Sequence, residues 1–211
     1  MGGGTIATIA LLTLAGVALL TVAGTPFERP VSADSPAMAS TRGMVNHAVQ
    51  ILGNRQLSVQ QRRRALRDLI EPRFDFTEMS RTALGYHWRQ LSPAQRAEFT
   101  RLFSAFIEDA YLSKVQDYSG QRVQFVKQSS IGDGYEQINT LIEQPNNKAS
   151  IPVNYLVEVN GCKIYDVTVD SISIMANYRN QFNRVINERG FDQLLADLKS
   201  KQQQLASLLG E

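Results

Sequence analysis

One cysteine and two histidines are all that 211 residues provide of the side chains that most often bind metals or act as nucleophile and base. A lone Cys162 excludes an internal disulfide, so the fold must be held by a core. It follows a turn glycine and reads as a small, half-buried hydrophobe. With only His47 and His87, a metal site or a nucleophile–base pair is poorly supplied. HExxH, CxxC, GxSxG, phosphate-loop and dinucleotide glycine patterns are all missing. Asp166 and Asp170 can be read as paired carboxylates on a strand, although an ion pair with Arg179 or Lys163 is the simpler reading. Charge of one sign is also lacking. Lys and Arg number 22 against 20 Asp and Glu, a net of +2, and this excludes a strongly basic nucleic-acid binder. The densest basic run, Arg62-Arg63-Arg64 with Arg67, is followed by Asp68 and Glu71. It reads as a solvated helix face, or else as a contact surface for an acidic partner or anionic headgroups. Internal repeats are absent too.

What is present begins with an apolar N-terminal segment. From Ile6 to Ala23 only threonines and one glycine interrupt it, and no charge precedes Glu28. Signal-peptide cores run about 7–15 residues and membrane spans about 20, and this run sits between them. Val31-Ser32-Ala33 fits a small-residue cleavage site. Residues 1–33 are therefore expected to be a signal peptide cleaved after Ala33, or an uncleaved anchor, and either places the remainder across a membrane. No lysine or arginine stands in Met1-Gly2-Gly3-Gly4, where a signal peptide usually carries one.

Residues 34–40 are small and polar and are expected to be a linker. Helical spacing then appears at Met44, Val45, Ala48, Ile51 and Leu52. Ser58-Val59-Gln60-Gln61 has capping-box form, and Asp75 with Glu78 is expected to cap a short helix. The clearest start is Ser92-Pro93-Ala94-Gln95, with Ser at the cap and Pro at the first helical position. That helix is expected to reach Tyr118, roughly 39 Å at 1.5 Å per residue. Its stripe of Phe99, Leu102, Phe103, Phe106, Ile107 and Tyr111 is wide and aromatic. After Gly120 the period changes to two. Four strands follow, around Val123–Phe125, Ile138–Ile142, Ile151–Val159 and Lys163–Val169, joined by turns at Gly132-Asp133-Gly134, Pro145-Asn146-Asn147 and Asn160-Gly161. Two helices close the chain, and residues 201–211 are expected to fray.

This order predicts an α+β fold in which helices pack on one face of a curved four-stranded antiparallel sheet. Residues 41–200 form one domain. The apolar helix face exceeds what four short strands can cover, and the surplus predicts an apolar cavity between the layers. Its expected walls are Phe103, Phe106 and Tyr111 on the long helix, with Val153, Tyr155 and Val157 on the third strand. Tyr165 and Val167 represent the fourth strand, whose inward parity is open.

Several segments resemble one family. They are Phe74-Asp75-Phe76-Thr77-Glu78-Met79, Leu84-Gly85-Tyr86-His87-Trp88-Arg89, Ser92-Pro93-Ala94-Gln95-Arg96, Ile151-Pro152-Val153-Asn154-Tyr155, Tyr165-Asp166-Val167 and Asn177-Tyr178-Arg179-Asn180-Gln181-Phe182. In this order they look like the toluene-tolerance, or MlaC, family of periplasmic phospholipid carriers, over roughly residues 40–200. The resemblance implies a non-catalytic, cofactor-free monomer in the periplasm with phospholipid as cargo. It also implies two partners, an outer-membrane lipoprotein complex and an inner-membrane transporter with an MCE-type subunit. Where family members often carry tryptophan before Lys-x-Tyr-Asp-Val, this chain has Cys162, and some relatives are associated with hopanoids. Two other classes stay open, a membrane-anchored interaction domain and a small cone-fold enzyme using His87 or Asp166 as base.

Overall fold

The computed structural model describes residues 33–113, 117–145 and 149–209. The expected leader up to residue 32 and the expected turn at Asn146-Asn147 lie outside them. In chain order the elements are α1 (Pro36–Gly53), α2 (Val59–Ile70), a 3-10 turn (Glu71–Arg73), α3 (Phe76–Leu84) and a second 3-10 segment (Gly85–Gln90). Next come α4 (Pro93–Leu112), β1 (Arg122–Gly132), β2 (Tyr135–Glu143), β3 (Ile151–Glu158), β4 (Lys163–Val169), β5 (Ile172–Ser173), α5 (Ile174–Arg189) and α6 (Phe191–Leu209).

The expected α+β class is observed, with three corrections at the element ends. Residues expected to be a linker open α1 instead. Ser35 caps it by accepting from the Met38 amide at 3.1 Å, Pro36 takes the first turn, and Ala37 and Met38 are buried. The long helix stops at Leu112, about 30 Å from its start at 1.5 Å per residue. Arg63 of α2 reaches over to donate to the Leu112 carbonyl at 3.3 Å, and the Ser113 hydroxyl donates to that of Ala110, so the helix end is closed by side chains. At the C-terminus the expected frayed tail is helical to Leu209, and Leu205 packs on the helical core.

The sheet has five strands, ordered β1-β2-β3-β4-β5 and antiparallel throughout, rather than four. Strand β5 is two residues long. It turns back through Asp170 and Ser171, both at positive φ, without the glycine that usually signals such a turn. A β-bulge decides the parity of β4. Val157 pairs with Ile164 and Leu156 with Asp166, which leaves Tyr165 as the extra residue. Ile164 and Val167 therefore share one face despite their odd spacing. Tyr165 is set apart from them, with its ring 5.4 Å from that of Tyr135.

Three apolar clusters result, a small one of Ile51, Leu66 and Leu112 where α1, α2 and α4 meet, and two larger bodies. Helix α1 lies on one sheet face, and its Ala37, Met38, Met44 and Val45 pack with Ile138, Val157 and Ile164, flanked by Val123, Phe125, Tyr155 and Val167. The other body is helical, built by α3, α4, α5 and α6 around Phe99, Phe103, Leu84 and Met175. It meets the sheet at β4, through α3 and α5.

Candidate functional site

The helical body is an aromatic stack. Phe103 lies 5.4 Å from Phe99 in stacked geometry, and 5.4 and 5.3 Å from Tyr178 and Phe182 edge-on. Phe106 meets Tyr178 edge-on at 5.8 Å. Offset and edge-to-face pairs of this kind add to area burial and fix side-chain orientation. Beside them is a hollow of about 90 Å³, walled by Phe106, Tyr178, Gln181, Phe182, Val185 and Leu198 and rimmed by Arg189, Asp197 and Lys201; the Gln181 Oε1 is buried without a hydrogen-bond partner.

The eight expected wall residues do not converge on one space. Phe103 and Phe106 belong to the helical body, whereas Val157, Tyr155 and Val167 belong to the sheet body under α1. Val153 is buried on the same strand face as Val157, and Tyr165 lies outside both bodies. Tyr111 marks the ground between them. The residue is 44% exposed, yet burial pushes its pKa up, and the neighbouring Tyr178 and Asp166 push the same way. Burial also raises Tyr155 and Tyr178 to about 12. The expected walls are therefore divided between two apolar bodies rather than gathered round one space. Sites for drug-sized molecules run roughly 300–1,000 Å³, well above the 90 Å³ hollow.

The bodies are joined by Asp166. Its carboxylate accepts from the Val167 amide at 2.8 Å, the Met175 amide at 3.1 Å and the Ser173 hydroxyl at 2.5 Å. It thereby ties β4 to the N-terminus of α5, where the helix dipole favours a negative charge. This replaces the expected ion pair: Lys163 donates to the Pro72 carbonyl at 2.6 Å, and the Arg179 stem crosses the bend at Gly85. A carboxylate with three donors and 6% exposure is a poor candidate for a base.

The basic run of α2 is likewise structural. Arg62 donates to the Leu52 carbonyl at 2.9 Å, and Arg67 pairs with Asp109 at 2.9 Å and Glu108 at 3.5 Å. With Arg63 on Leu112, three of these arginines bolt α2 to the C-terminal ends of α1 and α4 and are not a free solvated face. Burial raises Glu108 to about 7 against the pull of Arg67. Among the described residues no group of three His, Cys, Asp or Glu side chains is placed to hold a metal, and no helix is long and apolar enough to cross a membrane.

One feature was not anticipated. A groove of about 280 Å³ runs between α3 and the β1–β2 turn, lined by Glu78, Arg81, Thr82, Ile131, Tyr135 and Tyr165. Its residues come from three distant segments, so no spacing in the chain announces it.

The MlaC protein family model matches residues 42–200. The chain belongs to the MlaC family. The intermembrane phospholipid transport system binding protein MlaC of Haemophilus influenzae is 27% identical over 129 residues, 59% of this chain and 58% of that protein. The chain thus spans somewhat over half the length of that relative. Among solved structures, a phospholipid-binding protein of Ralstonia solanacearum, in complex with a phospholipid, superposes with a TM-score of 0.70 at 25% identity. The superposition covers 82% of this chain and 99% of that one. The MlaC match begins at Arg42, inside α1, so the first turn of that helix adds to the matched region.

Proposed function

We propose that this protein is a periplasmic, non-catalytic phospholipid carrier that holds its cargo by the acyl tails. The observation that carries the proposal is the phospholipid-bound Ralstonia structure, whose whole chain is covered by this fold. In this reading the chain is exported by residues 1–33 and works as a monomer. It passes lipid between an outer-membrane lipoprotein complex and an inner-membrane transporter with an MCE-type subunit.

The energetics suit a carrier. Burying a methylene is worth about 0.8 kcal/mol, so two tails with about 30 methylenes represent roughly 24 kcal/mol of gross transfer energy. Extraction from a bilayer is feasible only into an interior that is comparably dry. The sheet body supplies it through Val153, Tyr155, Val157 and Val167, with Phe106 and Tyr111 at the boundary with the helical body. Phe103 acts as frame within the aromatic stack. Because α1 packs directly on this sheet face, tails enter by parting α1 from the sheet. Native mass spectrometry of protein purified from an envelope extract tests the proposal. One phospholipid per chain is expected, and folded protein that never carries lipid would overturn it.

A further inference from the structure

We propose that the groove between α3 and the β1–β2 turn binds the phosphodiester group of a lipid, with the Arg81 guanidinium as its ligand. This rests on the carrier reading and adds the polar half of the cargo to it. A lipid whose tails are buried must leave its charged phosphate where donors and water reach it, because an unpaired buried charge is prohibitive. The groove offers a guanidinium paired on one edge with the Glu78 carboxylate, the hydroxyl-bearing side chains of Thr82, Tyr135 and Tyr165, and an apolar flank at Ile131.

Arg81 is presented for this purpose. Its Nε donates to Glu78 Oε2 at 2.7 Å and its Nη2 to Glu78 Oε1. A guanidinium carries five N–H groups, so two are engaged and three remain. Its planar fork matches two oxygens of a phosphate, and the side chain is 56% exposed. Glu78 is held in turn by its place in the first turn of α3, where its amide donates to Asp75 at 2.8 Å. Glu78 is therefore a positioning residue that fixes the guanidinium plane, and Arg81 makes the contact. The groove also lies at the end of the sheet where α1 begins: Tyr135 on its wall is followed by Glu136, to which the Ser35 hydroxyl donates. Tyr165 on its wall directly follows Ile164, which is 2% exposed in the sheet body, and the bulge separates the two.

The test uses the full chain, stripped of lipid and offered vesicles that contain dioleoylphosphatidylglycerol or dioleoylglycerol, which has the same tails and no phosphate. Capture is read by native mass spectrometry for the wild type, Arg81→Gln and Arg81→Lys. Arg81→Gln is expected to lower phosphatidylglycerol capture about tenfold, or about 1.4 kcal/mol, and to leave dioleoylglycerol capture and the melting temperature unchanged. Arg81→Lys, which keeps the charge and loses the fork, should fall between. If Arg81→Gln affects both lipids equally or neither, the groove assignment is wrong while the carrier reading stands. Wild type that captures neither lipid would sink the carrier reading and the groove with it. If millimolar inorganic phosphate shifts the Arg81 side-chain NMR signal while Arg81→Gln captures phosphatidylglycerol normally, the groove is a site for free anions and the proposal fails.

Discussion

The helical body and the sheet body bury similar residue types but are built on different principles. In the first, Phe99, Phe103, Tyr178 and Phe182 interlock ring against ring, and α3, α4, α5 and α6 surround them. In the second, α1 covers the sheet with Ala37, Met38, Met44 and Val45, two of them unbranched and flexible, and Leu69 and Phe74 pack beside it. Polar clasps hold that helix at its start. The Ser35 amide donates to Gln128 at 2.9 Å and the Ser35 hydroxyl to Glu136 at 2.5 Å. Arg42 pairs with Asp34 and lies 4.4 Å over the Phe125 ring, and Arg73 donates to Ser40 at 2.9 Å. Directional aromatic packing resists rearrangement, whereas adaptable side chains under a clasped helix can make room for tails. On the carrier reading proposed above, one body is the frame and the other is the part that yields.

Removing a ring from the frame should have the largest effect. Phe103→Ala, at a fully buried site, is expected to cost about 3–5 kcal/mol in urea denaturation. A loss below 1 kcal/mol would mean that the stack is not the frame. Met44→Ala, in the yielding body, is expected to cost about 2 kcal/mol, the low end for such truncations, because flexible neighbours close the space. It should also change lipid capture, which Phe103→Ala variants that remain folded should not. The pH dependence probes the contact between α2 and α4. The folded pKa of Glu108 is raised from 4.5 to about 7, so the folded state holds the extra proton. Its contribution is present below about 4.5 and is lost as pH rises through about 7. Glu108→Gln keeps the neutral form at every pH, and Arg67 retains Asp109 at 2.9 Å. The variant should match wild type at pH 4 and gain about 1–2 kcal/mol at pH 8; a stability difference that does not change with pH would contradict the raised pKa. The smallest effect is expected from Ser35→Ala, about 1 kcal/mol for a lost cap, accompanied by faster amide exchange in α1 but not in α5.

Most of the fold was legible because its start signals are local. The capping boxes at Ser58 and Ser92 form as read, with reciprocal bonds to Gln61 and Gln95, and Asp75 caps α3. Ser35-Pro36 carries the same Ser-Pro start as Ser92-Pro93, yet its small polar neighbours masked it as a linker. The bulge at Tyr165 was not legible, because period-two reading assumes that a strand keeps its register. Nor was the role of Arg63 and Arg67, which depends on where α4 ends in space. The candidate site was legible only in part. Val153, Tyr155 and Val157 share a face as their alternation requires, but the split of Phe103 from them follows from tertiary packing. The groove of Glu78, Arg81, Tyr135 and Tyr165 is assembled from segments too far apart in sequence for any pattern to connect.

The distinction between frame and yielding body can be read directly with a phospholipid that carries a photoactivatable diazirine near the end of one acyl chain. Loaded protein would be irradiated, digested and mapped by mass spectrometry. Label is expected on peptides containing Val153–Val157, Val167 and Met38 or Met44, and not on Phe191–Leu198 of α6. Label confined to the helical body, or scattered over exposed surface, would contradict the account.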